Sequence, residues 1–323
     1  MKKIAVFTSG GDAPGMNAAV RAVVRGAIYN KIEAYGIMRG YQGMIENEFI
    51  PLSSRDVSNI MSKGGTILKT ARSKEFMSKE GRKKAYENLK KIGIDGVVAI
   101  GGDGTFTGAK VFSQEYDIPF VGIPGTIDND LYGTDYCIGY DTALNTVMRA
   151  IDNLRDTAFA HNRLFFVEVM GRDAGFLALR SSIASGAEGV LIPEIPTHLE
   201  ELHLYLENGF KQKKSSGIIV VAEGDKEGGA YEIAKKVKED FSDYSVRVTI
   251  LGHVQRGGSP TAFDRVCASK MGVEAVKALI NGEKNIMIGN RNRDTIHVPF
   301  EKSIKCHKAI NQSLYDLLSV LNV

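Results

Sequence analysis

The side chains best suited to chemistry lie in short polar clusters rich in glycine. SGGDAPG at 9–15 and GGDGTFTG at 101–108 are glycine-rich turns, each leading into a helical pattern. Glycine lets backbone N–H groups come close to a phosphate, and the helix N-terminus adds the positive end of a dipole. Neither segment is a standard nucleotide fingerprint. The chain has no Gly-Lys dipeptide and hence no Walker A loop, and the glycine after Gly102-x-Gly104 is Gly108, one position too late for GxGxxG. A tight turn explains GGDG alone equally well. Asp103 inside it is more specific: a carboxylate beside a phosphate cradle needs a counter-ion, and Mg²⁺ is usually held by one or two carboxylates and substrate phosphates. PGTIDND at 124–130 sets Asp128 and Asp130 two apart after Thr126. In an extended loop they point the same way. An isolated DND is accounted for by an Asx-type turn, whereas opposite GGDG a carboxylate can accept the proton of an attacking hydroxyl.

Three further clusters, GRDAG, EGDKEGG and GHVQRGG, carry charge in the second half. Arg163, Arg172, Arg247, His253 and Arg256 are read as following strand ends. The planar fork of arginine suits phosphate oxygens, although a single arginine is more often a surface ion-pair partner. Arg21 and Arg25 at i, i+4, with Arg155 and the Lys211/Lys213/Lys214 run, form a further basic set that a solvated helix face would also explain.

These loops need a scaffold. Apolar runs at 4–7, 96–100, 118–123, 164–169, 217–222 and 246–251 predict buried strands. Helical spacing from Met16 to Ile28, and at 142–160, 199–212, 233–241 and 262–281, predicts helices between them. Such alternation predicts an α/β fold with parallel sheets flanked by helices, whose ligands bind at the carboxyl ends of strands. The length of 323 residues suits about two domains. A net charge of +3 (41 − 38) gives no electrostatic case for nucleic acid or membrane. Glycine, 35 residues or about 11%, is high and proline, at 8, is sparse, which suits tight turns between regular elements. Cys137, Cys267 and Cys306 are far apart with no CxxC pair, so neither a disulfide framework nor a zinc site is expected. The apolar run at 4–7 is too short for a signal segment and no run is long enough to span a membrane, so a cytoplasmic protein is expected.

TSGGDAPGMNAA, KGGTILKTAR, IGGDGT, PGTIDND, TDYCIGYDTALNT, VEVMGRDAG, IVVAEG and LGHVQRGGSPTAFDR occur in this order. Over residues 1 to about 280 the chain thereby resembles the bacterial ATP-dependent 6-phosphofructokinases, which phosphorylate fructose 6-phosphate at its 1-hydroxyl. The tail after about Gly289 is more divergent. The resemblance implies two Rossmann-like lobes: 1–139 with 255–305 binding ATP, and 140–254 with 306–323 binding fructose 6-phosphate. It also implies an active site in the cleft between the lobes and a homotetramer. Gly11, Arg72, Ser73, Gly102, Asp103, Gly104 and Thr105 would hold MgATP, with Asp103 the magnesium-associated carboxylate. Asp128 would be the general base, with Thr126, Arg172 and Arg72 completing the catalytic set of a direct in-line transfer. Met170, Gly171, Arg172, Glu223, His253 and Arg256 would join Thr126 and Asp128 on fructose 6-phosphate, and Arg163 and Arg247 would reach in from a neighbouring subunit. Pyrophosphate-dependent relatives carry Asp where this chain has Gly104 and Lys where it has Gly125, which favours ATP.

A second site for ADP or phosphoenolpyruvate would use Arg21, Arg25, Arg155, Gly186, Glu188 and Lys214. There the chain departs from its relatives: Gln212 and Lys214-Ser215-Ser216 stand where an Arg and a Lys-Lys-His-like run are common. Weak effector binding is therefore expected. Among rival functions, a dinucleotide-dependent oxidoreductase lacks its GxGxxG, and a non-catalytic sugar-phosphate sensor has no need of both Asp103 and Asp128. A kinase for another sugar phosphate differs only in the pocket of Met170 and Glu223.

Overall fold

The computed structural model describes residues 1–195, 202, 206–207, 216–241, 245–306 and 308–321. These form two compact units. The first comprises Met1–Ile127, Leu131–Thr142 and Arg256–Lys308, the second Asp128–Asp130, Ala143–Gln255 and Ala309–Val323.

The first unit is built on a seven-stranded sheet. Its strands are β1 (Lys3–Thr8), β2 (Glu33–Ile37), β3 (Phe49–Leu52), β4 (Gly96–Gly101), β5 (Phe120–Pro124), β10 (Ile286–Arg291) and β11 (Asp294–Pro299). The order is β11-β10-β5-β4-β1-β2-β3. The inner five strands run parallel, and β3 and β11 are antiparallel edges. β1, β4 and β5 are almost wholly buried, which is why each reads as an unbroken apolar run. On one face lie α2 (Gly40–Ile45), α3 (Lys79–Ile92) and α4 (Asp103–Glu115), around a core that includes Tyr41, Phe76, Phe106, Phe112 and Phe120. Phe76 stacks between Tyr41 and Phe112 at centroid distances of 4.0 and 5.7 Å. α1 (Met16–Tyr29) packs against α8 (Ala262–Ile280). A side chain on Gly272 would begin 2.5 Å from Ala22 Cβ and 2.9 Å from the Ala19 carbonyl oxygen, so the close approach of these two helices requires glycine there.

The second unit holds a four-stranded parallel sheet in the order β7-β8-β6-β9. Its strands are β6 (Arg163–Val169), β7 (Gly189–Leu191), β8 (Gly217–Ala222) and β9 (Ser245–Ile250). α6 (Phe176–Ser185) and α7 (Ala230–Asp240) flank it, and α10 (Gln312–Leu321) packs on α6. Of the helix expected at 199–212, Leu202, Leu206 and Glu207 are described and helical, and both leucines enter the core with Phe166, Ile219 and Ile233. The mostly parallel, helix-flanked α/β fold expected from the apolar runs is the one observed. The short strands β2, β3 and β7 and the β10–β11 hairpin were not anticipated.

α5 (Tyr140–His161) begins in the first unit and continues in the second. Its first turn is held by Asp264 of α8, which is fully buried. The Gly139 and Thr142 N–H groups each donate to this carboxylate at 2.9 Å, and the Thr142 hydroxyl donates at 2.5 Å. Burial pushes the Asp264 carboxyl up to about 6, because the hydrogen bonds only partly offset desolvation. Its ordinary value is about 3.9. A group raised in this way favours the folded state at pH below its unfolded value and loses that contribution as the pH rises through about 6, a difference of order 3 kcal/mol. Asp264→Asn removes the titration. The variant's urea midpoint relative to the parent should therefore be higher at pH 8 than at pH 5, and a pH-independent difference would contradict the burial argument.

Candidate active site

Three loops leave the carboxyl ends of β1, β4 and β5. The Ser9 N–H continues the ladder to the Ile100 carbonyl at 3.0 Å, and the Gly125 N–H does the same to Gly101. A side chain on Gly101 would begin 2.5 Å from the Ser9 carbonyl oxygen and 2.4 Å from Thr105 Oγ1, so the first loop crosses directly over the second. α4 then starts at Asp103 with Gly102 as its extended cap and no side-chain cap. Asp103 and Gly104 are exposed and Thr105 is buried. A side chain on Gly104 would meet nothing within 4 Å. The result is an open helix terminus with a carboxylate in its first turn, where N–H groups and dipole favour an anion. A side chain on Gly102 would begin 3.7 Å from Thr126 Cβ, so the loop of β5 lies beside that terminus. Thr126 and Asp128 are buried, and Asn129 between the two aspartates is left-handed at φ 55°.

The KGGT segment backs the first loop. The Asn17 side chain donates to the Lys63 and Gly64 carbonyls and accepts from the Ile67 N–H at 2.8 Å. The Thr8 hydroxyl donates to the Lys69 carbonyl, and Thr70 Oγ1 donates to Gly10 at 2.7 Å. Asn17 and Thr70 went unnoticed in the sequence, although both lie in motifs singled out there. Arg72 is exposed beyond this segment. The Ser73 hydroxyl donates to Gln42 Oε1 at 2.7 Å and accepts from the Phe76 N–H, anchoring the 3₁₀ turn Glu75–Met77. Arg256 also belongs to this unit. Its guanidinium lies against Gly11, where a side chain would begin 2.2 Å from Nη1, and Nη1 donates to the Asp12 carbonyl at 3.3 Å.

In the second unit, β6 ends in Met170-Gly171-Arg172. Glu223, just past β8, accepts from the Arg172 N–H at 2.7 Å and the Gly171 N–H at 3.3 Å. Gly171 lies at φ 149°, where a side chain would begin 2.3 Å from the Ala174 carbonyl oxygen, and Arg172 is left-handed at φ 57°. That turn exposes the Arg172 side chain, at 71%, while Met170 is buried. The Met170 N–H donates to Gln255 Oε1 at 3.1 Å. Gln255 is fully buried in the turn Gly252–Arg256, which leaves His253 exposed. Gln255, inside GHVQRGG, also went unnoticed, since nothing local distinguishes it from its neighbours.

Arg163 and Arg247 correct the sequence reading. They do not follow strand ends: Arg163 opens β6, and Arg247 is third in β9, paired in register with Phe165. At about 3.3 Å per residue, β6 separates Arg163 from Met170 by roughly 20 Å. The physical reason is that α5 runs on to His161, so the strand starts only at Arg163.

Of the expected effector residues, three converge in the second unit. Arg155 Nη1 donates to Glu188 Oε1 at 2.9 Å and Nη2 donates to the Ser185 and Gly186 carbonyls, while Glu188 Oε2 accepts from the Ile218 N–H. A pocket of about 390 Å³ beside Arg155 is lined also by Phe159, Ser216 and Gly217. Arg21 and Arg25 lie on α1, and burial followed by the Arg25 charge pulls Arg21 below the usual guanidinium range. Lys211, Gln212, Lys213, Lys214 and Ser215 lie outside the described residues.

The phosphofructokinase family model matches residues 3–279. The chain belongs to the phosphofructokinase family. It is 56% identical over 323 residues to the ATP-dependent 6-phosphofructokinase 2 of Bacteroides thetaiotaomicron, covering 100% of this chain and 99% of that one. It is 56% identical over 322 residues to the ATP-dependent 6-phosphofructokinase of Cytophaga hutchinsonii, covering 100% and 98%. Among solved structures, phosphofructokinase from Saccharomyces cerevisiae superposes with a TM-score of 0.89 at 37% identity, with all of this chain spanning 47% of that one.

The donor set of this phosphofructokinase chain fits Mg²⁺. Among the described residues no group of three or more His, Cys, Asp or Glu side chains forms a cage, and Mg²⁺ ordinarily takes one or two carboxylates, waters and substrate phosphates. Asp103, in the first turn of a helix with an open N-terminus, is of a kind that fits such a set. Among the described residues no helix is long and apolar enough to cross a membrane. The packing around the glycines separates two kinds of requirement. Gly101→Ala should destabilise the fold by about 1–3 kcal/mol through the Ser9 clash, whereas Gly104→Ala should leave the thermal midpoint unchanged or raised. Equal effects of the two substitutions in calorimetry would refute this distinction.

Proposed function

We propose that the chain transfers the γ-phosphoryl group of ATP to the 1-hydroxyl of fructose 6-phosphate, as a glycolytic ATP-dependent 6-phosphofructokinase. One observation carries the reading: within the first unit, the open helix terminus at 101–105 and the start of the PGTIDND loop, 124–127, leave neighbouring strands side by side, with Gly102 against Thr126. Gly11, Gly102, Gly104 and Thr105 offer the phosphates backbone N–H groups and a dipole, and Arg72 and Ser73 extend the nucleotide site. The lobe expected at 1–139 with 255–305 takes ATP. The lobe expected at 140–254 with 306–323 takes fructose 6-phosphate through Met170, Gly171, Arg172, Glu223 and His253, with Arg256, Thr126 and Asp128 completing the set. Mg²⁺ held by Asp103 supplies charge neutralisation on the transferring phosphates.

Asp128 accepts the proton of the 1-hydroxyl as that oxygen bonds to the γ-phosphorus. The bond to the β–γ bridging oxygen breaks, and its electron pair leaves with ADP. Arg72 and Arg172 oppose the charge that develops on the equatorial oxygens. Gly104 favours ATP as donor, since the space at that position is open. The position of Arg163 at the start of β6 and of Arg247 in the first half of β9, away from the loops at the carboxyl ends, supports their serving the 6-phosphate bound by a neighbouring copy, in a cytoplasmic homotetramer. Arg155, Gly186 and Glu188 support a second anion site for ADP or phosphoenolpyruvate, with Arg21, Arg25 and Lys214 as further members. The Arg155–Glu188 pair already occupies much of the guanidinium there, in keeping with weak binding.

A coupled assay of ADP release tests the reading. The protein should turn over with ATP and fructose 6-phosphate and not with pyrophosphate, and Asp128→Ser should lower kcat by about 10²–10⁴-fold with fructose 6-phosphate binding largely kept. A near-parental kcat would remove Asp128 from the mechanism. Arg247→Ser should raise the KM for fructose 6-phosphate far more than that for ATP. A fully active monomer in sedimentation would refute the shared site.

A further inference from the structure

Asp264 belongs to none of the loops assigned above, yet two of them lean on what it holds. It is 0% exposed, and burial, with a smaller push from the Asp141 charge, drives its carboxyl upward, so at neutral pH the charge is kept against an unfavourable environment. A buried charge retained at such a cost asks for a reason beyond stability. Its acceptor oxygens collect the Gly139 N–H, the Thr142 N–H and the Thr142 hydroxyl, which are cap groups of the first turn of α5. The exchange is reciprocal. Thr261, the N-cap of α8, donates its hydroxyl to Asp141 Oδ2 at 2.6 Å and its N–H to Thr142 Oγ1 at 3.0 Å, and its hydroxyl accepts from the Asp264 N–H. Two helix starts in the first unit thus cap one another.

The capped segment in turn abuts the reacting loops of the same unit. The Ile138 N–H donates to the Pro124 carbonyl at 2.9 Å, and Ile138 bridges Gly125, the residue before Thr126. Gly139, left-handed at φ 99°, sits so close to the first loop that a side chain there would begin 2.6 Å from Ala13 Cβ and 3.1 Å from Pro14 Cδ. Gly15, at the end of that loop, leaves room for a side chain only 3.6 Å from Asp264 Cβ and 2.6 Å from Ile138 Cγ2. One carboxylate therefore fixes 138–142, and 138–142 fixes the backbone entering both PGTIDND and the SGGDAPG helix.

We propose that Asp264 is a positioning residue for phosphoryl transfer, setting through the reciprocal cap with Thr142 and Thr261 the register of the loops that carry Gly11 and Thr126. The proposal rests on the phosphofructokinase reading. Small misplacements of reacting groups lower turnover more than binding, of order 10²-fold for about 1 Å. Asp264→Asn should accordingly lower kcat about ten- to a hundred-fold while both KM values stay within about twofold. Thr142→Val, which loses the shared hydroxyl, should fall in the same direction, and Thr142→Ser should restore turnover. Hydrogen exchange should quicken at 124–128 and 138–142 in Asp264→Asn and Thr142→Val and remain parental in Thr142→Ser. The parent enzyme is assayed first. An inactive parent defeats the functional reading, and exchange then decides the positioning claim by itself. An active parent with Asp264→Asn within twofold of its kcat, or unchanged exchange at 124–128, overturns the positioning claim alone. If Asp264→Asn does not fold, the Thr142 pair decides: equal losses in Thr142→Val and Thr142→Ser overturn it.

Discussion

A parallel strand that ends in a turn leaves backbone N–H groups with no ladder partner, and a buried N–H must find an acceptor. In this protein carboxylates brought from distant parts of the chain meet that need. Asp95 accepts from the Lys2 and Lys3 N–H groups, Glu194 from Gly175, Glu223 from Gly171 and Arg172, Glu168 from the first residue of α7, and Asp264 from the start of α5. The α4 terminus at Asp103 is arranged differently. It has no side-chain cap and has open space over Gly104. The same backbone requirement thus separates turns closed by the scaffold from a turn shaped for an exogenous anion.

That separation explains what could be read beforehand. Strands buried on both faces leave continuous apolar runs, and β1, β4, β5, β6 and β8 were legible for that reason, whereas β9, a partly exposed edge strand, was legible from its alternating Val246, Val248 and Ile250. β2 and β3 were not: β2 contains Gly36 and β3 contains Pro51, and their pairing is decided by neighbours. The helix α3 has a clear local frame, since Ser78 accepts from the Gly81 N–H and Gly93 closes the helix in the left-handed region, but its charged sequence drew no attention beside the motif-bearing loops. The β10–β11 hairpin lies partly in the divergent tail and completes the sheet only through pairing with β5.

The site was legible as a set of loops and not as a set of contacts. Glycine spacing pointed to 101–105 and 124–130 because close approach leaves a compositional trace. The placement of Arg163 and Arg247 was missed although the apolar runs at 164–169 and 246–251 already put one at the start of its strand and the other inside it. Ser73 was legible from its motif, but its bond to Gln42, a partner 31 positions away, was not. Gln255 and Asp264 looked like ordinary polar residues, and only tertiary structure shows each accepting N–H groups from segments more than 80 positions distant. Polar residues that work through long-range backbone contacts are the class that sequence patterning finds last.

Gly104 sits within a helix, unstrained and uncrowded, where almost any other residue would improve the intrinsic helix propensity by up to about 1 kcal/mol. Folding alone would let this position drift, unlike Gly101, whose replacement the fold itself resists. The fold therefore makes no demand for glycine there, and any such demand comes from the ligand. A homologue that used a donor other than a nucleotide could change position 104 at no cost in stability.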